Sequence, residues 1–67
     1  MIIAVDFDGT LHDGTYPNIG NPIKDAIGVM QALKHIEDHY LIIWTCREGA
    51  LLSEAINWLL ENNIPFE

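Results

Sequence analysis

The stretch "VDFDGT" sets two carboxylates, Asp6 and Asp8, two residues apart at the end of an apolar run, with a Gly-Thr turn directly behind them. Buried carboxylates are costly unless a cation or hydrogen-bond donors meet them, so a pair in this position marks a candidate site. Residues i and i+2 of an extended strand point the same way, about 6–7 Å apart, which lets both side chains face one pocket. Two carboxylates that close raise each other's pKa, and a magnesium ion between them reverses this and keeps both ionised. One carboxylate can then attack phosphorus in line to give an aspartyl-phosphate, while the other protonates the leaving oxygen and later activates water. Gly9 lets the backbone approach phosphoryl oxygens, and the amides that follow the strand, at Gly9 and Thr10, can donate to them as an anion-binding nest. Thr45, at the end of a second apolar run, can bind the same phosphate through its hydroxyl. The competing reading is a strand end capped by solvated turn residues, because Asp-Gly is also ordinary turn chemistry.

The elements that must position these groups follow from hydrophobic patterning. "MIIAVDF" is a continuous β-branched run and predicts a first strand buried on both faces, as in parallel sheets; with its loop it occupies 1–21. Asn21 as cap and Pro22 at the first helical position, with Ile23, Ala26, Ile27, Met30 and Leu33 at helical spacing, predict a helix over 22–39. "YLIIW" predicts a second buried strand over 41–45, and a stripe of Leu52, Ala55, Ile56 and Leu59 predicts a helix over 48–62. "IPFE" begins a third strand at 64–67. The order β-α-β-α-β is that of an α/β fold with a parallel sheet, in which ligands sit beyond the carboxyl ends of the strands. Asp6, Asp8 and Thr45 all fall there.

Composition narrows the function classes. The chain has 67 residues, one domain at most, and a core that contributes no more than about 3–5 kcal/mol of net stability. Ten acidic residues against three basic ones give a net charge of −7, which offers no electrostatic footprint for nucleic acid. The 49% of hydrophobic residues are interrupted by charge too often for a membrane span. A single cysteine, Cys46, excludes an intrachain disulfide, and no export signal opens the chain, so a cytoplasmic protein is expected.

"DFDGT" after an apolar strand, followed by "LIIWT" at the end of the next, resembles the haloacid dehalogenase superfamily of phosphohydrolases. "TYPNIG", and "WTCREG" followed by "LLSEAINW", are similar to small bacterial members that lack a separate cap domain. The resemblance implies a three-layer Rossmann-like parallel sheet, of which this chain would form about half. It also implies hydrolysis of a small phosphomonoester. Asp6 would be the nucleophile, Asp8 the general acid and base, and Thr45 the phosphate-binding hydroxyl. Asp6 and the backbone carbonyl of Asp8 would hold Mg2+.

Two parts of the family pattern are absent: a downstream Lys that balances the phosphoaspartate, and a later acidic pair that completes the metal site. After Thr45 the only basic residue is Arg47, and Glu48, Glu54, Glu61 and Glu67 lie at helical or terminal positions. Stopping at residue 67 also leaves one edge of the first strand unpaired. These features point to a fragment, a truncated gene product, or a half-domain completed by another chain, inactive by itself. The alternative is a non-catalytic module that binds metal or phosphate and pairs with itself or a partner through its open sheet edge.

Arg47 reads equally as a clamp or charge balance for a phosphate site and as a surface residue at a helix start. His12 and Asp13 read as exposed loop residues. His35 and His39, at i and i+4, read as complements to the helix dipole rather than as metal ligands. Cys46 reads as a small half-buried residue, Trp44 and Trp58 as packing between sheet and helices, and Tyr16 as a loop anchor or a cover for the pocket.

Overall fold

Both β-branched runs form strands. In the computed structural model, which describes residues 1–67, β1 spans Ile2–Asp6 and β2 spans Tyr40–Trp44. They pair in parallel, from Ile2 opposite Tyr40 to Asp6 opposite Trp44, so the two strands end level with each other. Parallel pairing requires a long crossover. It consists of a loop, α1 (Ala26–Gln31) and a wider π-type segment (Ala32–Ile36), whose last turn closes with Glu37 N–H donating to the Ala32 carbonyl at 3.1 Å. The second helix, α2 (Gly49–Glu61), follows β2. The result is a small α/β unit with a two-stranded parallel sheet and two helices, neither of them long and apolar enough to cross a membrane.

One face of the sheet carries the core. Phe7, Leu11, Met30, Leu41, Ala55, Leu59 and Ile64 form a single buried cluster, against which Ile3, Val5 and Ile43 pack. Met30 brings in α1 and Ala55 and Leu59 bring in α2, so both helices cover the same face. Side chains alternate across a strand. Ile2, Ala4, Tyr40, Ile42 and Trp44 therefore share the other face, and all five are exposed, Ile2 at 68% and Trp44 at 66%. The strands are thus covered on one face rather than both. A continuous apolar run shows that two covers would fit, not that both are present. Trp58 does pack as expected, edge-on to Phe7 with ring centroids 5.6 Å apart.

The first helix starts later and ends earlier than 22–39. The Asn21 amide and carbonyl pair with the Asp13 side chain and amide, and Ile23 N–H donates to the Leu11 carbonyl, so this segment is laced to the loop as an extended strap. Entry to α1 passes through Asp25 at φ 69°, and the helical stretch ends before Asp38 at φ 55°. His39 therefore lies outside the helix and shares no helical face with His35. The segment 64–67 forms no strand, although Glu67 N–H donates to the Leu41 carbonyl at 2.7 Å on the free edge of β2.

The asymmetry of cover predicts asymmetric mutational cost. Phe7→Ala removes a fully buried ring and should cost about 3–5 kcal/mol, enough to abolish cooperative thermal unfolding in a chain this small. Trp44→Thr should change monomer stability by less than about 0.5 kcal/mol. Circular dichroism melts of the two variants check the contrast, and equal losses would contradict the one-sided core.

Candidate functional site

Where β1 ends, the chain turns sharply. Gly9 adopts φ 80°, a left-handed conformation that a side chain disfavours, and this lets Leu11 N–H return to the Phe7 carbonyl at 3.0 Å. The turn places Asp6, Asp8 and Thr10 at the strand exit. Thr45 lies one residue beyond β2, adjacent in the sheet. Its hydroxyl accepts the Arg47 N–H at 3.1 Å, which folds the β2–α2 connection back over the site and leaves the hydroxyl proton free to donate.

The two carboxylates live in different surroundings. Asp6 is exposed, and its one hydrogen bond comes from the Thr10 hydroxyl at 3.4 Å. Asp8 is held on three sides. Arg47 forks onto it, NH2 to Oδ1 at 2.6 Å and Nε to Oδ2 at 3.1 Å, and His12 Nε2 meets Oδ1 at 2.8 Å. The Arg47 guanidinium, helped by His12 and opposed by burial, holds the Asp8 carboxyl below its ordinary value of 3.8. Asp8 in turn pushes the pKa of Arg47 up.

Arg47 is 3% exposed, so it is not a surface residue at a helix start. Its third branch, NH1, donates to the Pro17 carbonyl at 3.1 Å, and the guanidinium carbon lies over the rings of Phe7 and Tyr16, 5.3 and 5.1 Å from their centroids. In this arrangement it balances the charge of Asp8. Tyr16, more than half exposed, covers the guanidinium from outside. His12 is fully buried rather than an exposed loop residue, because its ring packs against both Phe7 and Trp58 in a cluster of three mutually touching rings beneath the loop. Gly14 and Gly20, six residues apart around "TYPNI", were the available signal that the loop closes on itself over that ring. Asp13 is exposed, and so is Cys46, which is not half-buried as expected.

A cavity of about 170 Å³ opens between β2, α2 and the C-terminal segment. Of the site residues only Thr45 lines it, and its other walls are mostly apolar, from Ile43 to Phe66. It is a gap beside the sheet edge and not a pocket of the acid pair.

The chain is similar to a solved structure of a conserved protein from Bacteroides thetaiotaomicron, with 47% sequence identity and a TM-score of 0.90. The match covers 98% of this chain and 54% of the other, so this chain spans about half the length of the structure it resembles. No protein-family profile and no curated protein matches the chain.

The Asp8–Arg47 pair sets a pH signature. A carboxylate whose folded pKa is lowered stabilises the fold fully above 3.8, and that contribution disappears as pH falls further, through the folded value. The stability gap between wild type and Asp8→Asn should therefore be constant at neutral pH and close below pH 3.8. Arg47→Met leaves a partly covered charge unpaired and should cost about 2 kcal/mol, less than a fully buried pair because the Asp8 side chain is 29% exposed. Urea titrations across pH check both, and a gap that does not change with pH would contradict the pairing.

Proposed function

We propose that this chain is the first half of a Mg2+-dependent phosphohydrolase domain of the haloacid dehalogenase type, with a three-layer Rossmann-like sheet, acting on a small phosphomonoester. The observation that carries the reading is the difference in surroundings between two carboxylates at the carboxyl end of β1, beside Thr45 at the end of the parallel strand β2. Asp6 is exposed and nearly free, whereas Asp8 is locked by Arg47 and His12. Environments that push two titratable groups apart suit them to different roles.

In this reading an Asp6 oxygen attacks phosphorus, the ester P–O bond breaks, and the departing oxygen takes the proton of the Asp8 carboxyl. Water then attacks the aspartyl-phosphate, Asp8 accepts its proton, and the Asp6–phosphorus bond breaks to release phosphate. Thr45, Thr10 and the amide at Gly9 bind the phosphoryl oxygens. Mg2+ would be held by the Asp6 carboxylate, a hard anionic oxygen with one weak partner, and by the Asp8 backbone carbonyl; when bound it neutralises the charge between nucleophile and phosphate. The Asp8 side chain is taken up by Arg47 and His12, and no third His, Cys, Asp or Glu joins the two carboxylates in a metal-holding group. The remaining ligands must come from water, substrate or residues outside these 67.

A second reading has its own support. The bare face bearing Ile2, Tyr40, Ile42 and Trp44 favours a module that covers this surface with another copy or partner. Multi-angle light scattering at rising concentration should then show a dimer, and a cooperatively melting monomer would remove the need for one.

The catalytic reading predicts that the purified chain with Mg2+ gives near-background turnover of a generic phosphomonoester. It also predicts that Mg2+ with beryllium fluoride, a phosphoryl mimic on carboxylates, shifts the NMR amide signals of Gly9, Thr10 and Thr45. Asp6→Asn should abolish those shifts. No response in the wild type would count against Asp6 as nucleophile, and robust turnover lost in Asp6→Asn would show that the residues expected downstream are dispensable.

A further inference from the structure

We propose that His12 is a positioning residue that confines the proton transfer of Asp8 to one oxygen, Oδ2. The role of Asp8 rests on the functional reading above, whereas the way it is held rests on loop geometry alone. His12 Nδ1 accepts two backbone donors, Gly14 N–H at 3.0 Å and Gly20 N–H at 3.3 Å. A ring nitrogen that accepts two amides carries no proton, so the ring proton sits on Nε2 and points at Asp8 Oδ1, 2.8 Å away. The same oxygen receives Arg47 NH2 at 2.6 Å, while Oδ2 receives only Arg47 Nε at 3.1 Å. With two charge-assisted donors on Oδ1, its lone pairs are engaged. Oδ2 keeps one for a proton.

The two amides converge on Nδ1 because the loop doubles back tightly. A Cβ on Gly14 would run into the Gly20 amide, and one on Gly20 would run into the Gly14 backbone and the Asp13 carboxylate. Trp58 fixes the far side of this cradle by donating its indole N–H to the Gly20 carbonyl at 3.1 Å. The ring is fully buried, with centroids 4.8 Å from Phe7 and 6.0 Å from Trp58. A relay of contacts thus runs from α2 through Trp58, Gly20 and His12 to a single carboxylate oxygen. An exposed loop histidine would have no such chain of supports.

The test uses 15N-labelled whole chain at neutral pH, where Arg47 is the only arginine and its Nε–H gives one unambiguous resonance. His12 is expected to show a protonated Nε2 and an unprotonated Nδ1 in long-range ring correlations. A proton on Nδ1 overturns the proposal. His12→Gln keeps a donor near the position of Nε2 and should keep the Arg47 Nε–H signal near its wild-type position. His12→Phe keeps an aromatic ring but loses the donor, and the signal should move or broaden to loss as Asp8 becomes free to exchange its oxygens. Identical behaviour of the two variants would show that the ring only packs. If His12→Phe does not fold, the ring protonation of wild type and the signal in His12→Gln decide the matter. None of these readouts involves phosphate or metal, so they pass or fail independently of the beryllium fluoride response.

Discussion

The buried fork of Arg47 on Asp8 is the contact on which the site depends. It joins residues 39 positions apart, the loop after β1 and the turn after β2, at the end of the sheet where no further strand pairing holds them. In a chain of net charge −7 with three basic residues, the sole arginine is buried beside a carboxylate. Such a pair adds little net stability over well-packed apolar residues, because desolvation offsets attraction. Its value here is geometric. The planar guanidinium aligns two donors with two carboxylate oxygens, lies over the rings of Phe7 and Tyr16, and tethers the loop through Pro17. Lysine, a point charge on a flexible stem, would supply only the charge.

That contact also divides the acid pair. Asp8 has both oxygens engaged by Arg47 and His12, with one lone pair left on Oδ2, so the carboxylate at the mouth of β1 that stays open to a ligand is Asp6. Without the fork Asp8 would lose the cation that holds its carboxyl below the ordinary value. With it, one is tied into the loop and the other stands exposed at the strand exit.

How much of this was legible in the sequence depends on the range of the interaction. The positions of the first two strands, their parallel order and the grouping of Asp6, Asp8 and Thr45 at the strand ends follow from local apolar runs and topology, and they appear in the structure, whereas the third strand expected at 64–67 does not. The start of the first helix did not, because Asn21, a good cap in isolation, is hydrogen-bonded by Asp13 across the loop. Burial of His12 and pairing of Arg47 depend on contacts with Trp58 and Asp8 that no local window contains. The bare sheet face was hidden for a related reason. Ile2, Tyr40 and Trp44 look like core residues, and parallel sheets are ordinarily covered on both faces. Nearly half of the similar Bacteroides thetaiotaomicron chain lies outside the match, so the unit seen here occurs there as part of a longer polypeptide.

The state of Asp8 bears directly on the proposed chemistry. A general acid must carry a proton, yet Arg47 and His12 favour the ionised form and lower the pKa. As it stands, Asp8 is equipped to accept a proton from water in the second half of the reaction, not to protonate a leaving group in the first. Giving a proton requires Arg47 to withdraw, and a guanidinium leaves a carboxylate readily only when another anion of matching shape is offered. A phosphate dianion beside Thr45 is such an anion. In the proposed reaction, substrate binding and the arming of Asp8 would then be one event: the arginine moves toward the phosphate, the Asp8 pKa rises, and the proton arrives only when there is a leaving group to receive it.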